Sequence, residues 1–242
     1  LLEEGGRRHF MTKRFDRLEG GGKLHMQSLA AIAHLDFNDP LANSYEQALF
    51  TMRRMGLPMA QIHEKVAVHI NDTHPAMAVP ELMRILIDDY NLEWEVAWAT
   101  TTKVMSYTNH TVLSEALEKW DAGLFKEIVP RIYQIVGEID RQFVKTWAGK
   151  VDASVIDHTR VIQNGQIHMA NLSIIGGHSV NGVAKLHTEL LIEDVLKDFY
   201  LLYPEKFNNK TNGIAQRRWS QIANPGMSAL LDKQIGKGWR SN

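Results

Sequence analysis

The sequence predicts an α/β protein, and two short stretches support this fold class most directly. Residues 66–70 form a largely β-branched run bounded by polar and charged residues, a pattern typical of a strand buried in a parallel sheet. Asn164-Gly165 lies between two alternating runs and predicts a hairpin, because both central residues of such a turn need positive φ. The chain has no internal repeat that would indicate a solenoid.

The remaining regular elements are predicted to be helices, from apolar residues at helical spacing or from capping signals. They are residues 45–55, a segment beginning at Pro80, and residues 92–107, 114–120, 124–147, 178–197 and 225–235. Pro130 should kink or break the longest of them, since its ring cannot fit inside a regular helix. Asn224-Pro225 is a cap followed by proline at the first helical position. The second hairpin strand is expected to end at Gly176-Gly177.

Composition and charge argue against several classes of protein. The 242 residues are 44% hydrophobic and 23% charged, which is typical of a globular chain. A formal net charge of -1 lacks the basic signature of a nucleic-acid binder, and no apolar run reaches the ~20 residues that span a bilayer. Cysteine is absent, which excludes disulfides and fits a reducing compartment. No signal peptide opens the chain, and we expect it to bind neither nucleic acid nor membrane.

Three polar loops are the candidate functional segments. Residues 71–75 directly follow the predicted buried strand, and ligands bind at the carboxyl ends of strands in open α/β sheets. Residues 108–111 are expected between two helices, and residues 211–213 form the third loop. Asn, Asp and Thr also cap helices and close turns, so each loop alone fits a structural role. Together, loops rich in Asn, Thr and His suit a ligand with many hydroxyl groups, such as a sugar.

Other kinds of site find little support in the sequence. His63, His69 and His74 are unevenly spaced, no H-E-x-x-H pair occurs and thiolate ligands are absent, so no metal site is expected. The motifs G-x-S-x-G and G-x-G-x-x-G and the P-loop do not occur either. Serine hydrolase chemistry and simple nucleotide binding are therefore not predicted.

Four segments together closely resemble the α-1,4-glucan phosphorylases, the family of glycogen, starch and maltodextrin phosphorylases. They are INDTHPAMAVPELMRILID, YTNHTVLSEALEKW, MANLSIIGGHSVNGVAKLH and KFNNKTNGIAQRRW, and the match runs in order from about residue 65 to residue 239. The resemblance implies two α/β lobes of glycosyltransferase-B type with the active site between them. It also implies a cytoplasmic homodimer that carries pyridoxal 5′-phosphate. Enzymes of this family cleave terminal α-1,4-linked glucose with inorganic phosphate, giving glucose 1-phosphate with retained configuration, and the resemblance implies the same reaction here.

The resemblance assigns roles to five residues of this chain. His110 matches the histidine whose side chain reaches the glucose 6-hydroxyl and whose carbonyl faces the developing oxocarbenium ion. Asn212 matches an asparagine that also bonds the glucose hydroxyls, and Asp72 and His74 match residues beside the anomeric face. Trp219 matches an aromatic residue near the cofactor ring. These roles require the His110 imidazole and the Asn212 carboxamide to converge on one hollow that fits a pyranose ring.

The same resemblance predicts the domain organisation. Residues 1–43 match poorly and form a leader, residues 44–212 correspond to the later part of the N-terminal lobe, and residues 213–242 open the C-terminal lobe. The chain departs from the family pattern at Ser114, where proline is usual, and at Ala215-Gln216. The family's cofactor lysine, phosphate-binding residues and sugar-binding glutamate lie downstream of the matched region. We therefore expect the isolated chain to be inactive.

Two other interpretations remain open. One is a non-catalytic carbohydrate-binding or structural module that keeps the family fold. The other is a nucleotide-sugar transferase of similar two-lobed fold, although such an enzyme is not expected to carry these four motifs together.

Overall fold

The computed structural model describes residues 2–4, 7–9, 20–23, 25–35, 45–56 and 58–240. The chain divides into two compact units, Leu1–Val66 and Ala67–Asn242. Parts of the predicted leader lie outside the described residues, namely residues 1, 5–6, 10–19, 24 and 36–43.

The first unit contains an antiparallel strand pair and short helices. They are β1 (Leu2–Glu4), β2 (Arg7–His9), α1 (Leu29–Ala33), α2 (Tyr45–Arg54) and a 3-10 turn at Met59–Glu64. α2 confirms the helix predicted at residues 45–55.

The second unit is built on a four-stranded parallel sheet and a three-stranded antiparallel sheet. Its strands are β3 (Val68–Asn71), β4 (Met105–Thr108), β5 (Lys119–Asp121), β6 (Ile162–Gln163), β7 (Gln166–His168), β8 (Val180–Gly182) and β9 (Phe207–Asn209). The parallel sheet has the order β3-β4-β8-β9, so its strands lie side by side in chain order. The antiparallel sheet has the order β5-β7-β6. The mixture confirms the α/β class.

Helices and longer connections join the parallel strands, as parallel pairing requires. The helices between the parallel strands are α3 (Ala78–Arg84), α4 (Trp94–Val104), α5 (Ala122–Ile128), α6 (Pro130–Trp147), α7 (Ala153–Thr159), α8 (Met169–Gly176), α9 (Lys185–Leu190) and α10 (Lys197–Leu202). Two further helices, α11 (Gln216–Ala223) and α12 (Pro225–Ile235), follow β9. Two π-helical turns, Ile85–Asp89 and Leu191–Val195, follow α3 and α9. Short 3-10 turns occur at Ser114–Ala116, Pro204–Lys206 and Lys237–Arg240. In the described part of the chain, no helix combines the length and apolarity needed to cross a bilayer.

Helix α8 lies at the centre of the core. All its residues are buried, and it contacts β4, α3 and α4. A Cβ atom added at Gly176 would come within 2.5 Å of the Val79 side chain, so glycine is what allows α8 to approach α3 this closely. Ile70, Tyr107 and Val180, paired across β3, β4 and β8, have no exposed surface and fix the sheet against this core.

Three local predictions are confirmed. Asn164 and Gly165 have φ of 50° and 73°, and they join β6 to β7 as a hairpin. Pro130 is the first residue of α6, so the predicted long helix is broken into α5 and α6. Asn224 caps α12, with its Oδ1 accepting from the Met227 N–H at 3.0 Å.

Four predicted elements are wrong in type or extent. The helix predicted at residues 92–107 ends at Val104, because the next four residues form β4 between two partner strands. The helix predicted at residues 114–120 is only a 3-10 turn followed by β5, which pairs with β7. In both cases pairing with distant strands outweighs the local helical pattern.

The other two errors surround α8. The second hairpin strand ends at His168, and the apolar residues predicted to continue it form α8 instead. A short run that is buried on all sides has no periodicity to separate helix from strand. The helix predicted at residues 178–197 begins as β8, and its helical part starts only at Lys185.

Candidate functional site

A hollow of about 420 Å³ lies at the carboxyl ends of the four parallel strands. We call it the carboxyl-end hollow. Each strand contributes two lining residues, at its end or close to it: His69 and Asn71 from β3, Thr108 and His110 from β4, Asn181 and Val183 from β8, and Lys210 and Asn212 from β9. Open parallel sheets bind ligands at this edge.

The polar turn after β4 delivers His110 to this hollow. Asn109 is fully buried; its amide group donates to the Tyr107 hydroxyl at 2.9 Å and accepts from the Thr111 N–H at 2.8 Å. These two bonds close the turn and leave His110 exposed. His110 Nε2 lies 2.7 Å from Asn71 Oδ1, so Nε2 carries the hydrogen and donates it to the amide oxygen.

Asn212 reaches the same hollow from the opposite edge of the sheet. Its backbone N–H donates to the Val183 carbonyl at 2.9 Å, which holds the segment after β9 beside the segment after β8. The structure therefore brings His110 and Asn212 together, as the resemblance requires. Their roles toward glucose stay predictions.

Asp72 and His74 lie beside the hollow rather than in its lining. Asp72 has φ of 58°, and its carboxylate accepts from the Thr73 N–H at 2.9 Å and from the Thr111 hydroxyl at 3.4 Å. His74 is largely exposed, with Nδ1 3.2 Å from Glu118 Oε2. The Thr73 hydroxyl donates to the same Glu118 oxygen. Glu118 thus anchors the loop after β3, a role that its predicted place in a helix did not suggest.

Trp219 is not brought to the carboxyl-end hollow. It lies on α11 with 57% of its surface exposed, and its backbone N–H continues the helix by donating to Ala215. Its predicted role near a cofactor ring stays a prediction.

Sequence reasoning missed the residues that connect the strands at this edge. His69 Nε2 lies 2.6 Å from the Thr108 hydroxyl, which in turn donates to Asn181 Oδ1 at 2.7 Å. His69 had been considered only as a metal ligand. Its position as a polar residue between Val68 and Ile70 was the available signal, because such a residue in a largely apolar strand needs a hydrogen-bonding partner.

Two histidines at the hollow, His69 and His187, have surroundings that favour the neutral imidazole. Burial lowers the pKa of His69, and the nearby His110 imidazole lowers it further. Burial also lowers the pKa of His187, whose Nδ1 accepts from the Val183 N–H at 3.0 Å. Lys210 contributes an ammonium group, which donates to the Asn208 side chain. The surface thus offers mainly neutral donors and acceptors.

Metal binding has no visible basis in the residues that the structure describes. Among them, no three His, Asp or Glu side chains are grouped so as to hold a metal ion.

Comparison with known proteins identifies the family. A family model described as carbohydrate phosphorylase matches residues 41–242. The glycogen phosphorylase of Bacillus subtilis (strain 168) is 51% identical over 189 residues, which are 77% of this chain and 24% of that protein. The glycogen phosphorylase of Pasteurella multocida (strain Pm70) is 45% identical over 203 residues, 81% of this chain and 25% of that protein.

A mammalian relative gives a similar result. The muscle form of glycogen phosphorylase from Bos taurus is 48% identical over 179 residues, 72% of this chain and 21% of that protein. The chain thus spans about a quarter of the length of the curated relatives that it matches. The match of the family model over most of the sequence shows that the chain belongs to the carbohydrate phosphorylase family.

Proposed function

We propose that this chain forms one wall of the glucose site of an α-1,4-glucan phosphorylase. The complete enzyme uses inorganic phosphate to release terminal α-1,4-linked glucose as glucose 1-phosphate. The observation that carries the proposal is the shared carboxyl-end hollow, to which His110 and Asn212 come from distant parts of the chain.

The chemistry of the hollow supports a sugar as its ligand. Its lining consists mainly of imidazole, amide and hydroxyl groups, with Lys210 as the one cation among the eight described lining residues. A hexose presents several hydroxyl groups, each able to donate and to accept, and it needs such neutral partners in number. A ligand with one strong negative charge would instead favour a cluster of cationic side chains.

The proposed roles of the individual groups are those that the resemblance assigns. His110 and Asn212 bind glucose hydroxyl groups, while Asp72 and His74 line the space beside the anomeric carbon. The carbonyl of His110 faces the positive charge that develops on the sugar ring. A dipole fixed in place before the reaction stabilises such charge without reorganisation during the reaction.

We further propose that the complete protein has two lobes of glycosyltransferase-B type. In this arrangement residues 44–212 are the later part of the first lobe and residues 213–242 begin the second. Exposed apolar side chains in the last segment support this arrangement. Most of the surface of Ile214, Ile222 and Ile235 is exposed, and the rest of the second lobe would cover it.

The resemblance implies pyridoxal 5′-phosphate in the complete enzyme. Trp219 is the only residue that the resemblance assigns to the cofactor, and it is exposed on α11 away from the lining of the hollow. The attachment lysine is expected outside this chain. The complete protein is accordingly proposed to be a cytoplasmic homodimer acting on α-1,4-glucan, whereas the isolated chain is inactive.

The proposal is tested by titrating the pure chain with maltotriose and measuring the dissociation constant by NMR. His110→Ala and Asn212→Ala should each weaken binding about three- to tenfold, the effect of one lost hydrogen bond. His158→Ala is the matched control, because this exposed histidine pairs with Asp198 and does not line the hollow. Equal dissociation constants for all four proteins would contradict a sugar site here.

A second experiment addresses the isolated chain. Incubation with maltodextrin, phosphate and pyridoxal phosphate should give no glucose 1-phosphate above the blank; its formation would refute the expected inactivity. A non-catalytic carbohydrate-binding module would also bind maltotriose, so the titration does not separate it from a fragment of the enzyme. A gene that continues into a lysine-bearing lobe supports the enzyme, and one that stops at residue 242 supports the module.

A further inference from the structure

A chain of side-chain hydrogen bonds crosses three neighbouring strands at the carboxyl-end hollow. It runs from His69 on β3 through Thr108 on β4 to Asn181 on β8, with distances of 2.6 and 2.7 Å. The backbone register supports this contact, because Thr108 pairs with Asn71 on one side and with Asn181 on the other. All three side chains belong to residues that line the hollow.

The direction of each bond is fixed by counting hydrogens. The Asn181 amide nitrogen donates to the Gly182 carbonyl at 2.9 Å, so its oxygen is the atom that faces Thr108. A threonine hydroxyl has one hydrogen, and Thr108 gives it to Asn181. Thr108 can therefore only accept from His69, which must carry a hydrogen on Nε2.

The imidazole of His69 thereby has one defined tautomer. Burial and the neighbouring His110 both lower the pKa of His69, so the ring is neutral at pH 7. In a neutral imidazole with hydrogen on Nε2, Nδ1 is a hydrogen-bond acceptor. The Asn181 amide is already oriented by its bond to the Gly182 carbonyl, so without the Thr108 hydroxyl nothing in this chain of bonds would select between the two tautomers of His69.

We propose that Thr108 is a positioning residue of the hollow, whose hydroxyl sets the tautomer of His69. Its consequence for sugar binding rests on the proposed function. Thr108 is suited to this role because it is buried and its β-branched side chain restricts rotation about χ1. A lining with preset donors and acceptors loses less conformational freedom when a ligand binds.

The test compares Thr108→Val, which keeps the branched shape but removes the hydroxyl, with Thr108→Ser, which keeps the hydroxyl. Nitrogen-15 histidine spectra of the full chain report the tautomer of each ring without any ligand. We expect the parent and Thr108→Ser to show only the Nε2–H form at His69, and Thr108→Val to show a mixture. His110 provides an internal control, because its Nε2 pairs with Asn71 and not with Thr108.

A second variant, Asn181→Ala, tests the same chain of bonds in case Thr108→Val does not fold. Asn181→Ala removes the acceptor of the Thr108 hydrogen, so the hydroxyl can turn and donate to His69 instead. The Nδ1–H tautomer of His69 should then increase. If His69 keeps the pure Nε2–H pattern in both Thr108→Val and Asn181→Ala while both stay folded, the proposal is overturned.

Maltotriose affinity separates this proposal from the proposed function. Thr108→Val should bind about three- to tenfold more weakly than the parent, and Thr108→Ser within about twofold of it. A mixed tautomer with unchanged affinity overturns the positioning role at the sugar site. If the parent itself does not bind maltotriose, the proposed function fails, and the histidine spectra alone decide whether Thr108 sets the tautomer.

Discussion

At the carboxyl ends of the parallel strands, imidazole, amide and hydroxyl groups line the hollow, whereas at the amino ends aromatic rings wall a cavity of similar volume. The amino-end cavity measures about 430 Å³ and is lined by Trp94, Trp98 and Tyr203 among others. It lies beside the segments that lead into β4, β8 and β9. Its lining includes the half-buried cation Lys206, which donates to the carbonyls of Ile174 at 2.9 Å and Ile175 at 3.4 Å.

The two ends of the sheet differ in whether their polar groups are already hydrogen-bonded within the protein or can still bond a ligand. Lys206 is committed to two buried carbonyls and lies 4.1 Å from the centre of the Tyr203 ring, so its contacts hold α8 to the end of α10. In the carboxyl-end hollow, exposed His110 keeps an unprotonated Nδ1 when its ring is neutral, and this atom can still accept from a ligand. Cavity volume alone does not separate a binding site from a packing defect, whereas free hydrogen-bonding capacity does.

The largest expected effect is on stability and comes from the two ends of β8. At the carboxyl end, a Cβ added at Gly182 would meet the Thr188 hydroxyl and lie 3.0 Å from Thr188 Cα and from His187 Nδ1. At the amino end, a Cβ added at Gly177 would lie 3.1 Å from the Ser173 carbonyl. Gly182→Ala should therefore cost about 2–3 kcal/mol of unfolding free energy, and Gly177→Ala about 1 kcal/mol. Urea denaturation measures both, and the opposite order would contradict the tighter packing at the carboxyl end.

The next effect is a pH dependence at the amino end. Burial lowers the pKa of Lys206 to about 8 from 10.5. Between these two values the unfolded chain still holds the proton while the folded chain has released it, so folding stability should rise with pH across this window. The rise should be smaller than the effect of Gly182→Ala, because the Lys206 side chain keeps part of its surface in water.

The matched experiment measures unfolding free energy against pH for the parent chain and Lys206→Met, which keeps the length of the side chain without the amine. The difference between the two proteins cancels the other titrating groups. It should move in favour of the parent as pH rises from 8 to 10.5. Lys103→Met, which changes an exposed lysine beside the same cavity, should show no such movement.

The same contrast explains how much of the fold could be predicted. Three local features were predicted correctly because each depends only on its own stretch of backbone. They are the positive φ at Asn164-Gly165, the missing N–H of Pro130 at the start of a helix, and the helix end capped by Asn224. β4 was missed because it is a strand only by virtue of β3 and β8 on either side. α8 was missed because a wholly buried segment shows no amphipathic period.

The error at β4 also hid the geometry of the site. Residues 108–111 were expected between helices, so their shared edge with residues 71–75 could not be seen from the sequence. The resemblance nominated His110 and Asn212 but not Thr108 or Asn181, whose importance comes from contacts between strands. Contacts between residues far apart in the chain are the feature that is hardest to predict from a single sequence.

A smaller effect concerns acid stability at the carboxyl end. Burial lowers the pKa of His69 and of His187 below the ordinary value of 6.5. As pH falls below 6.5 the unfolded chain binds protons first, so the folded chain should lose stability through this window. His69 is exposed and His187 is only half-buried, which makes the loss smaller than the Lys206 effect.

Thermal unfolding from pH 7.5 to pH 5 measures this loss. The double variant His69→Gln, His187→Gln should flatten the pH dependence, while His158→Gln, outside the hollow, should leave it as in the parent. A double variant with an unchanged slope would assign the acid sensitivity to other groups.

The smallest expected effect is the sharpest test of the comparison, because aromatic walls are themselves a common feature of ligand pockets. Trp98 is half-buried on α4 and lines the amino-end cavity, so a sugar bound there would contact its ring. Trp98→Phe keeps an aromatic side chain and should leave the dissociation constant for maltotriose within about twofold, less than the loss of one hydrogen bond. If Trp98→Phe instead weakened binding as much as His110→Ala, the sugar would be bound at the amino-end cavity. The distinction between committed and available polar groups would then fail as a guide to the site.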